Sequence, residues 1–164
     1  IFLYMGAVDK NNITLKILKL FNNKLFVNYK IIVLIGVNNS QRVVIKKYVK
    51  KINNIKILKE NNINFKKIYD HVNYVISASG VTMYEQLNYG FKPIVFPQNK
   101  FQLKISQSLK KSNLINTINV KNRKAKENFF KVLQNNKNFF DKSVKNCINK
   151  LVFNGSEKIA NEIN

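Results

Sequence analysis

Apolar runs of strand length alternate with longer helical patterns along this chain, and that alternation constrains its fold more than any other feature. The segment KIIVLIG, residues 30–36, is continuously apolar, as expected for a strand that is covered on both faces. Similar runs are separated by stretches whose apolar residues recur at helical spacing. The pattern predicts an α/β, Rossmann-like fold, with a parallel sheet of about six strands and helices on both faces.

The individual elements follow from the same reasoning. The predicted strands are residues 1–6, 30–36, 54–58, 73–79, 92–97 and 115–118. Asn12, Ser40 and Asn64 are the candidate N-caps of helices, because their side chains can accept hydrogen bonds from the first helical amides. Residues 119–164 contain only helical patterns, which include 141–152 and 156–163. We therefore predict a core at 1–118 and a C-terminal helical extension of the same domain at 119–164.

The net charge of the chain is +21, which favours anionic partners. Its lysines are scattered in pairs, and Arg42 and Arg123 are the only arginines, although arginine is the usual reader of bases. We therefore expect no nucleic-acid partner. Loose association with an anionic membrane surface fits this charge better, and no apolar run approaches the roughly 18 residues of a membrane span.

Two further features concern the cellular compartment of the protein and the extent of the sequence. The single Cys147 excludes an internal disulfide framework and is consistent with a reducing, cytoplasmic compartment. The sequence begins IFLYMG, without an initiator Met or the basic flank of a signal peptide. It begins inside a predicted strand, so we expect a fragment or one domain of a longer protein.

Small residues follow the fourth predicted strand in the segment SASGVT, residues 77–82, which leads directly into a helical pattern. The first amides of a helix lack internal partners and carry partial positive charge, and Gly80 lets an anion approach them closely. The hydroxyls of Ser79 and Thr82 can add donors. This arrangement predicts a phosphate cradle, although it also fits a plain strand-to-helix turn without a ligand.

Polar residues in neighbouring segments could contact the same ligand. Glu85, one turn into that helix, can accept hydrogen bonds from vicinal ribose hydroxyls, or can simply stabilise the first turn. Gly6 and Ala7 follow the first strand and could line the other side of the phosphates, or form an ordinary turn. Asn99 and Gln102 follow the fifth strand, where their amides can bridge sugar hydroxyls or remain solvated.

Several classes of site are not indicated. The chain has neither a GxGxxG array nor a GxxxxGK[ST] motif, so neither NAD nor a P-loop is expected. Its one histidine, His71, precedes the fourth strand, on the side opposite the ligand edge, which favours a surface position over a catalytic base. No Cys/His cluster has metal-binding spacing, and we expect neither a metal nor a cofactor.

The segment ISASGVTMYEQLNYGFKPIVFPQNKFQ, residues 76–102, resembles the nucleotide-binding signature in the C-terminal half of GT-B-type nucleotide-sugar enzymes. Within that group, the chain is most similar to the UDP-2,4-diacetamido-2,4,6-trideoxy-β-L-altropyranose hydrolases of pseudaminic acid biosynthesis. Segments 1–21, 53–77 and 148–163 resemble that family's opening, middle and ending. The ending separates it from the muropeptide N-acetylglucosaminyltransferases, which are related by fold. The chain departs from the family at Ala7, Val8 and Lys10, where the family has Gly, Ser and Pro.

The resemblance implies a UDP-sugar site assembled from several loops. Its diphosphate-binding residues would be Gly6, Ser79, Gly80, Val81 and Thr82. Its ribose-binding residue would be Glu85. The uracil would face the backbone near Leu58 and Ile63. The residues that reach toward the sugar would be Asn99 and Gln102.

The resemblance also implies a function, that of the UDP-sugar-binding domain of a hydrolase that releases UDP in bacterial surface or flagellar glycan biosynthesis. GT-B enzymes place the active site between two domains, and in this family the catalytic histidine belongs to the N-terminal domain, which is absent from this sequence. The full-length protein is therefore expected to be an enzyme, and this chain alone to be inactive. The expected partners are the UDP-sugar substrate and the missing domain. The alternatives are a glycosyltransferase domain that passes a sugar from a UDP-sugar to a lipid-linked or other acceptor, and a non-catalytic basic binding module.

Overall fold

A parallel sheet forms the centre of the protein. The computed structural model describes residues 1–22, 24–59 and 63–135. In that part of the chain, six strands pair in the order β3-β2-β1-β4-β5-β6, and every pair is parallel. The strands are β1 Phe2–Tyr4, β2 Ile31–Leu34, β3 Ile55–Ile57, β4 Val75–Ser77, β5 Ile94–Val95 and β6 Asn116–Thr117. The predicted α/β, Rossmann-like fold is confirmed, including the short sixth strand.

Helices connect the strands. They are α1 Ile13–Phe21, α2 Arg42–Val49, α3 Phe65–Tyr69, α4 Val81–Tyr89, α5 Lys100–Lys111 and α6 Ala125–Asn135, with a 3-10 turn at Lys24–Phe26. None of the helices in the described part is long and apolar enough to cross a membrane. The helices predicted at 141–152 and 156–163 lie outside the described residues.

The two faces of the sheet have separate apolar layers. On one face, buried residues of α1, α2 and α6 pack with Leu3 and Ile76 of the strands. On the other face, Phe2 and Val75 pack with α3, while α4 and α5 pack against Val95. Adjacent residues of a strand thus enter opposite layers, which explains why the strands read as continuous apolar runs.

Helix α6 belongs to the same core as the sheet. Its Phe129 is fully buried, and its ring centroid lies 5.6 Å from that of Phe21 and 5.9 Å from that of Phe26. The ring of Phe96, which directly follows β5, is 5.7 Å from Phe129. At least the first helix beyond residue 118 therefore packs on the predicted core.

Two of the three predicted N-caps, Asn12 and Asn64, occupy the N-cap position in the structure, and one of these makes a side-chain capping bond. Asn64 caps α3, and its side chain accepts from the Lys67 amide at 3.0 Å. Ser40 is not the cap of α2, because that helix begins one residue later, after Gln41. The Gln41 amide instead donates to the side chain of Asn39, at 2.8 Å. Asn12 precedes α1, but its side chain makes no capping bond.

The strand order reverses beside β1. Strand β1 pairs with β2 on one side and with β4 on the other, so that Leu3 lies opposite both Val33 and Ile76. The chain therefore leaves β1 toward one edge of the sheet and leaves β4 toward the other. The loops that follow these two strands diverge, and in open α/β sheets such a crevice is where ligands bind.

Candidate functional site

A cleft of about 320 Å³ opens between the carboxyl ends of β1 and β4. The loops after β1, β4 and β5 form its walls. Five of the predicted site residues line it: Gly6, Gly80, Val81, Thr82 and Gln102. The fold thus brings residues from three separate segments to the point where the strand order reverses.

The N-terminus of α4 opens onto this cleft without a side-chain cap. Gly80 is the N-cap residue, with extended backbone at φ −127°, and no side chain bonds to the first amides of the helix. A Cβ added at Gly80 would meet no atom within 4 Å. Neither backbone strain nor packing requires glycine there, whereas an anion approaching the uncapped amides would use the open space.

The N-terminus of α1, by contrast, is occupied by a carboxylate from its own chain. Asp9 is buried, and its two oxygens accept from the amides of Ile13 and Thr14 at 2.8 and 2.9 Å. The charge of Asp9 is therefore balanced by the positive end of α1. Helix α5, whose Gln102 lines the cleft, is capped by the side chain of Asn99. Of these three helix starts, α4 is the one without a side-chain acceptor and is left for an external anion.

Glycines shape the loop after β1 for two different reasons. Gly6 has φ +86°, a left-handed conformation that L side chains rarely adopt. Gly36, at the end of β2, has no room for a side chain, because a Cβ there would lie 2.2 Å from the carbonyl oxygen of Gly6 and 2.3 Å from that of Ala7. Gly36, in the loop after β2, therefore packs directly against the backbone of the loop after β1 that lines the cleft. Gly36 was not among the predicted site residues; a glycine at the carboxyl end of the predicted strand 30–36 was the available signal.

Glu85 lies beside the cleft, not in its lining. It is exposed, one turn into α4, and its charge acts on Tyr4, the last residue of β1, which does line the cleft. Burial, followed by the negative charge of Glu85, raises the pKa of the Tyr4 hydroxyl above its usual value. A tyrosine hydroxyl is neutral at physiological pH even at its ordinary pKa, so Tyr4 can donate a hydrogen bond to a ligand in the cleft. Tyr4 was not among the predicted residues.

An apolar wall extends from Tyr4 away from the cleft. The ring of Tyr4 lies 5.9 Å from that of Phe65, and the half-buried Leu58 and Ile63 pack against the same cluster. The Leu58 amide donates to the carbonyl of Val33 at 2.9 Å and is committed to the sheet. Backbone contact with uracil near Leu58 and Ile63 stays a prediction.

Ser79 does not line the cleft. Its side chain is buried, and its hydroxyl is hydrogen-bonded to that of Ser106 in α5. Ser106 also donates to the carbonyl of Gln102 at 2.8 Å. The predicted role of the Ser79 hydroxyl as a phosphate donor has no support in this geometry, because that hydroxyl ties the turn before α4 to α5.

A hydrogen bond from the loop after β5 fixes the orientation of the Gln102 side-chain amide. Gln98, another residue that the sequence analysis missed, donates from its side chain to the carbonyl of Met5 at 2.7 Å. Its backbone amide donates to Oε1 of Gln102 at 2.8 Å. A backbone N–H can only donate, so Oε1 of Gln102 is the acceptor and its Nε2 is left for the cleft.

Two other predicted polar residues lie elsewhere. The Asn99 side chain caps α5 by accepting from the Gln102 amide at 2.8 Å, and Asn99 lines a neighbouring cavity instead of this cleft. His71 precedes β4 and is exposed, with Nδ1 2.8 Å from the carbonyl oxygen of Lys67. It lies at the amino edge of the sheet, opposite the cleft, as its position in the sequence predicts.

No protein-family model matches this chain, and no curated protein matches it.

Proposed function

We propose that this chain is the UDP-sugar-binding domain of a nucleotide-sugar hydrolase, with the diphosphate in the cleft between β1 and β4. The observation that carries the proposal is the uncapped start of α4, which faces a cleft at the reversal of strand order with open space in front of Gly80. Unpaired helical amides in such a crevice suit a diphosphate.

The order of chemical groups along this edge supports a nucleotide in particular. Leu58 follows β3, Tyr4 ends β1 and the turn at Gly80 follows β4, and the sheet order places β1 between β3 and β4. The charge of Glu85 acts on Tyr4. A base, a ribose and a diphosphate follow one another in the same sequence. Glu85 would accept from the ribose hydroxyls, and the α4 amides would hold the phosphates.

The role of the domain in the reaction would be to hold and stabilise the leaving group. Water would attack the anomeric carbon, and the helical amides would stabilise the charge that grows on the departing UDP. Among the described residues that line the cleft, Asp9 is the one carboxylate, and both its oxygens are occupied by α1. The group that activates water would come from the N-terminal domain that the family resemblance implies.

We propose a cytoplasmic setting for this reaction, with which the composition is compatible. A reducing cytoplasm suits the single Cys147 and is where we expect a pseudaminic acid pathway enzyme to act. The net charge of +21 supports loose association with an anionic membrane surface.

Calorimetric titration with UDP tests the binding site. We expect Gly80→Val to abolish binding while the circular dichroism spectrum stays unchanged, because the new side chain fills space that the protein itself leaves empty. Glu85→Ala should weaken binding by about tenfold, through loss of charged hydrogen bonds. Lys110→Ala, on the exposed side of α5, is the control and should bind normally. Wild-type affinity in Gly80→Val would refute the diphosphate assignment.

A turnover assay on the full-length protein tests the reaction. NMR should detect free sugar and UDP without any added acceptor. Turnover that occurs only with an acceptor would contradict hydrolysis and indicate a glycosyltransferase that uses the same UDP site.

A further inference from the structure

A second cavity, of about 100 Å³, lies beside the diphosphate cleft. Gln98 lines both spaces. The remaining polar lining comes from the start of α5 and from the loop after β6, and consists of Asn99, Lys100, Asn119 and Lys121. No part of the proposed UDP site uses this loop after β6.

The two asparagines in this cavity have their oxygens engaged. Oδ1 of Asn99 accepts from the Gln102 amide at 2.8 Å, and Oδ1 of Asn119 accepts from the Lys121 amide at 3.0 Å. Backbone amides can only donate, which fixes the orientation of both side chains. The Nδ2 groups, which are donors, are left for a ligand.

The two lysines add positive charge with no carboxylate nearby in the sequence. None of residues 86–126 is Asp or Glu, and this range includes β5, α5, β6 and the loop that carries Lys121. In the described part of the chain, no ion pair involves Lys100 or Lys121. Apart from Oε1 of Gln98, which is an acceptor, the polar side-chain groups left over in the cavity are thus donors or cations.

We propose that this cavity binds a compact oxyanion, a carboxylate or a phosphate group. Its volume of about 100 Å³ has room for several water molecules, and therefore for a group of that size. Lys100 and Lys121 supply the charge, the Nδ2 groups of Asn99 and Asn119 supply directed donors, and Leu103 adds an apolar contact for the carbon that bears the anion. Such a site would hold the acidic group of a molecule that reaches across Gln98 from the cleft, or a separate small anion.

The proposal is independent of UDP binding, and its test uses two simple probes. Inorganic phosphate and acetate are titrated separately into the whole chain, with sodium chloride keeping the ionic strength constant. The side-chain amide signals of Asn99 and Asn119 are followed by ¹⁵N NMR. We expect both signals to shift and saturate together, with either probe.

Variants then locate the binding. Replacing Lys100 and Lys121 together with alanine should weaken saturation by at least about tenfold, because two charged donors are lost. The matched control is Lys110→Ala with Lys111→Ala, on the same helix but outside the cavity, and it should bind normally. Gly80→Val, which blocks the diphosphate cleft, should leave these shifts intact. The proposal would be overturned if the shifts did not saturate, or if the control variant weakened binding as much as the Lys100 and Lys121 replacement. It would also be overturned if Gly80→Val abolished the shifts.

Discussion

Replacing Gly36 with alanine would test how the wall of the diphosphate cleft is held in place. The added Cβ would lie 2.2 Å from the carbonyl oxygen of Gly6 and 2.3 Å from that of Ala7. Since carbon–oxygen contacts normally begin near about 3.3 Å, the loop after β1 must retreat by about 1 Å. Overpacking against backbone costs roughly 1–3 kcal/mol, and we expect the upper part of that range because no flexible side chain can yield.

Urea unfolding measures this loss, with Gly80→Ala as the matched control. Gly36→Ala should lower the unfolding midpoint without changing the slope. Gly80→Ala should cost less than about 1 kcal/mol, because its Cβ meets no atom within 4 Å and the restricted unfolded chain offsets a weaker N-cap. Gly36→Ala should also weaken UDP binding, since it displaces Gly6. Wild-type stability in Gly36→Ala, or an equal loss in Gly80→Ala, would refute this reasoning.

Three further variants test other parts of the fold. Asp9→Asn should lose about 1–2 kcal/mol in urea unfolding, because one of the two oxygens that accept from the Ile13 and Thr14 amides becomes an NH2 donor and the negative charge is lost; no loss would contradict its capping role. Phe129→Ala should lose about 3–5 kcal/mol, whereas an independent α6 would make it nearly neutral. Burial, with a further contribution from Glu85, raises the pKa of Tyr69 in the folded protein. Stability should therefore be complete below about pH 10 and fall above it, and Tyr69→Phe should flatten that decline; an unchanged decline would contradict the assignment.

The elements of the fold were predictable because their signals are local. Strands β1, β2 and β5 lie in short apolar runs, and the helices repeat apolar residues every three or four positions. Strand β6, Asn116–Thr117, is itself polar but is flanked by Ile115 and Ile118. The strand order was not predictable in the same way, because pairs such as Leu3 with Ile76 form only after long crossovers. The position of the cleft depends on that strand order. The local sequence patterns therefore identified residues of the cleft, but they did not show that these residues come together.

Within the site, residues that belong to local patterns were predicted, whereas roles that depend on contacts with distant residues were not. The turn at Gly80 and Thr82 is a local strand–glycine–helix pattern and lies in the cleft. The direction of the Ser79 hydroxyl depends on Ser106, 27 residues away, and could not be read locally. Gln98 gains its role from a bond to the carbonyl of Met5, 93 residues away.

The central claim is that the start of α4 binds the diphosphate of UDP, and an NMR titration of the chain with UDP tests it most directly. We expect the backbone amides of Gly80, Val81 and Thr82 to shift most, with a smaller saturable shift at Glu85. The amide of Lys110 should not move. Saturable UDP binding that leaves the start of α4 unperturbed, or no binding at millimolar UDP, would contradict the claim.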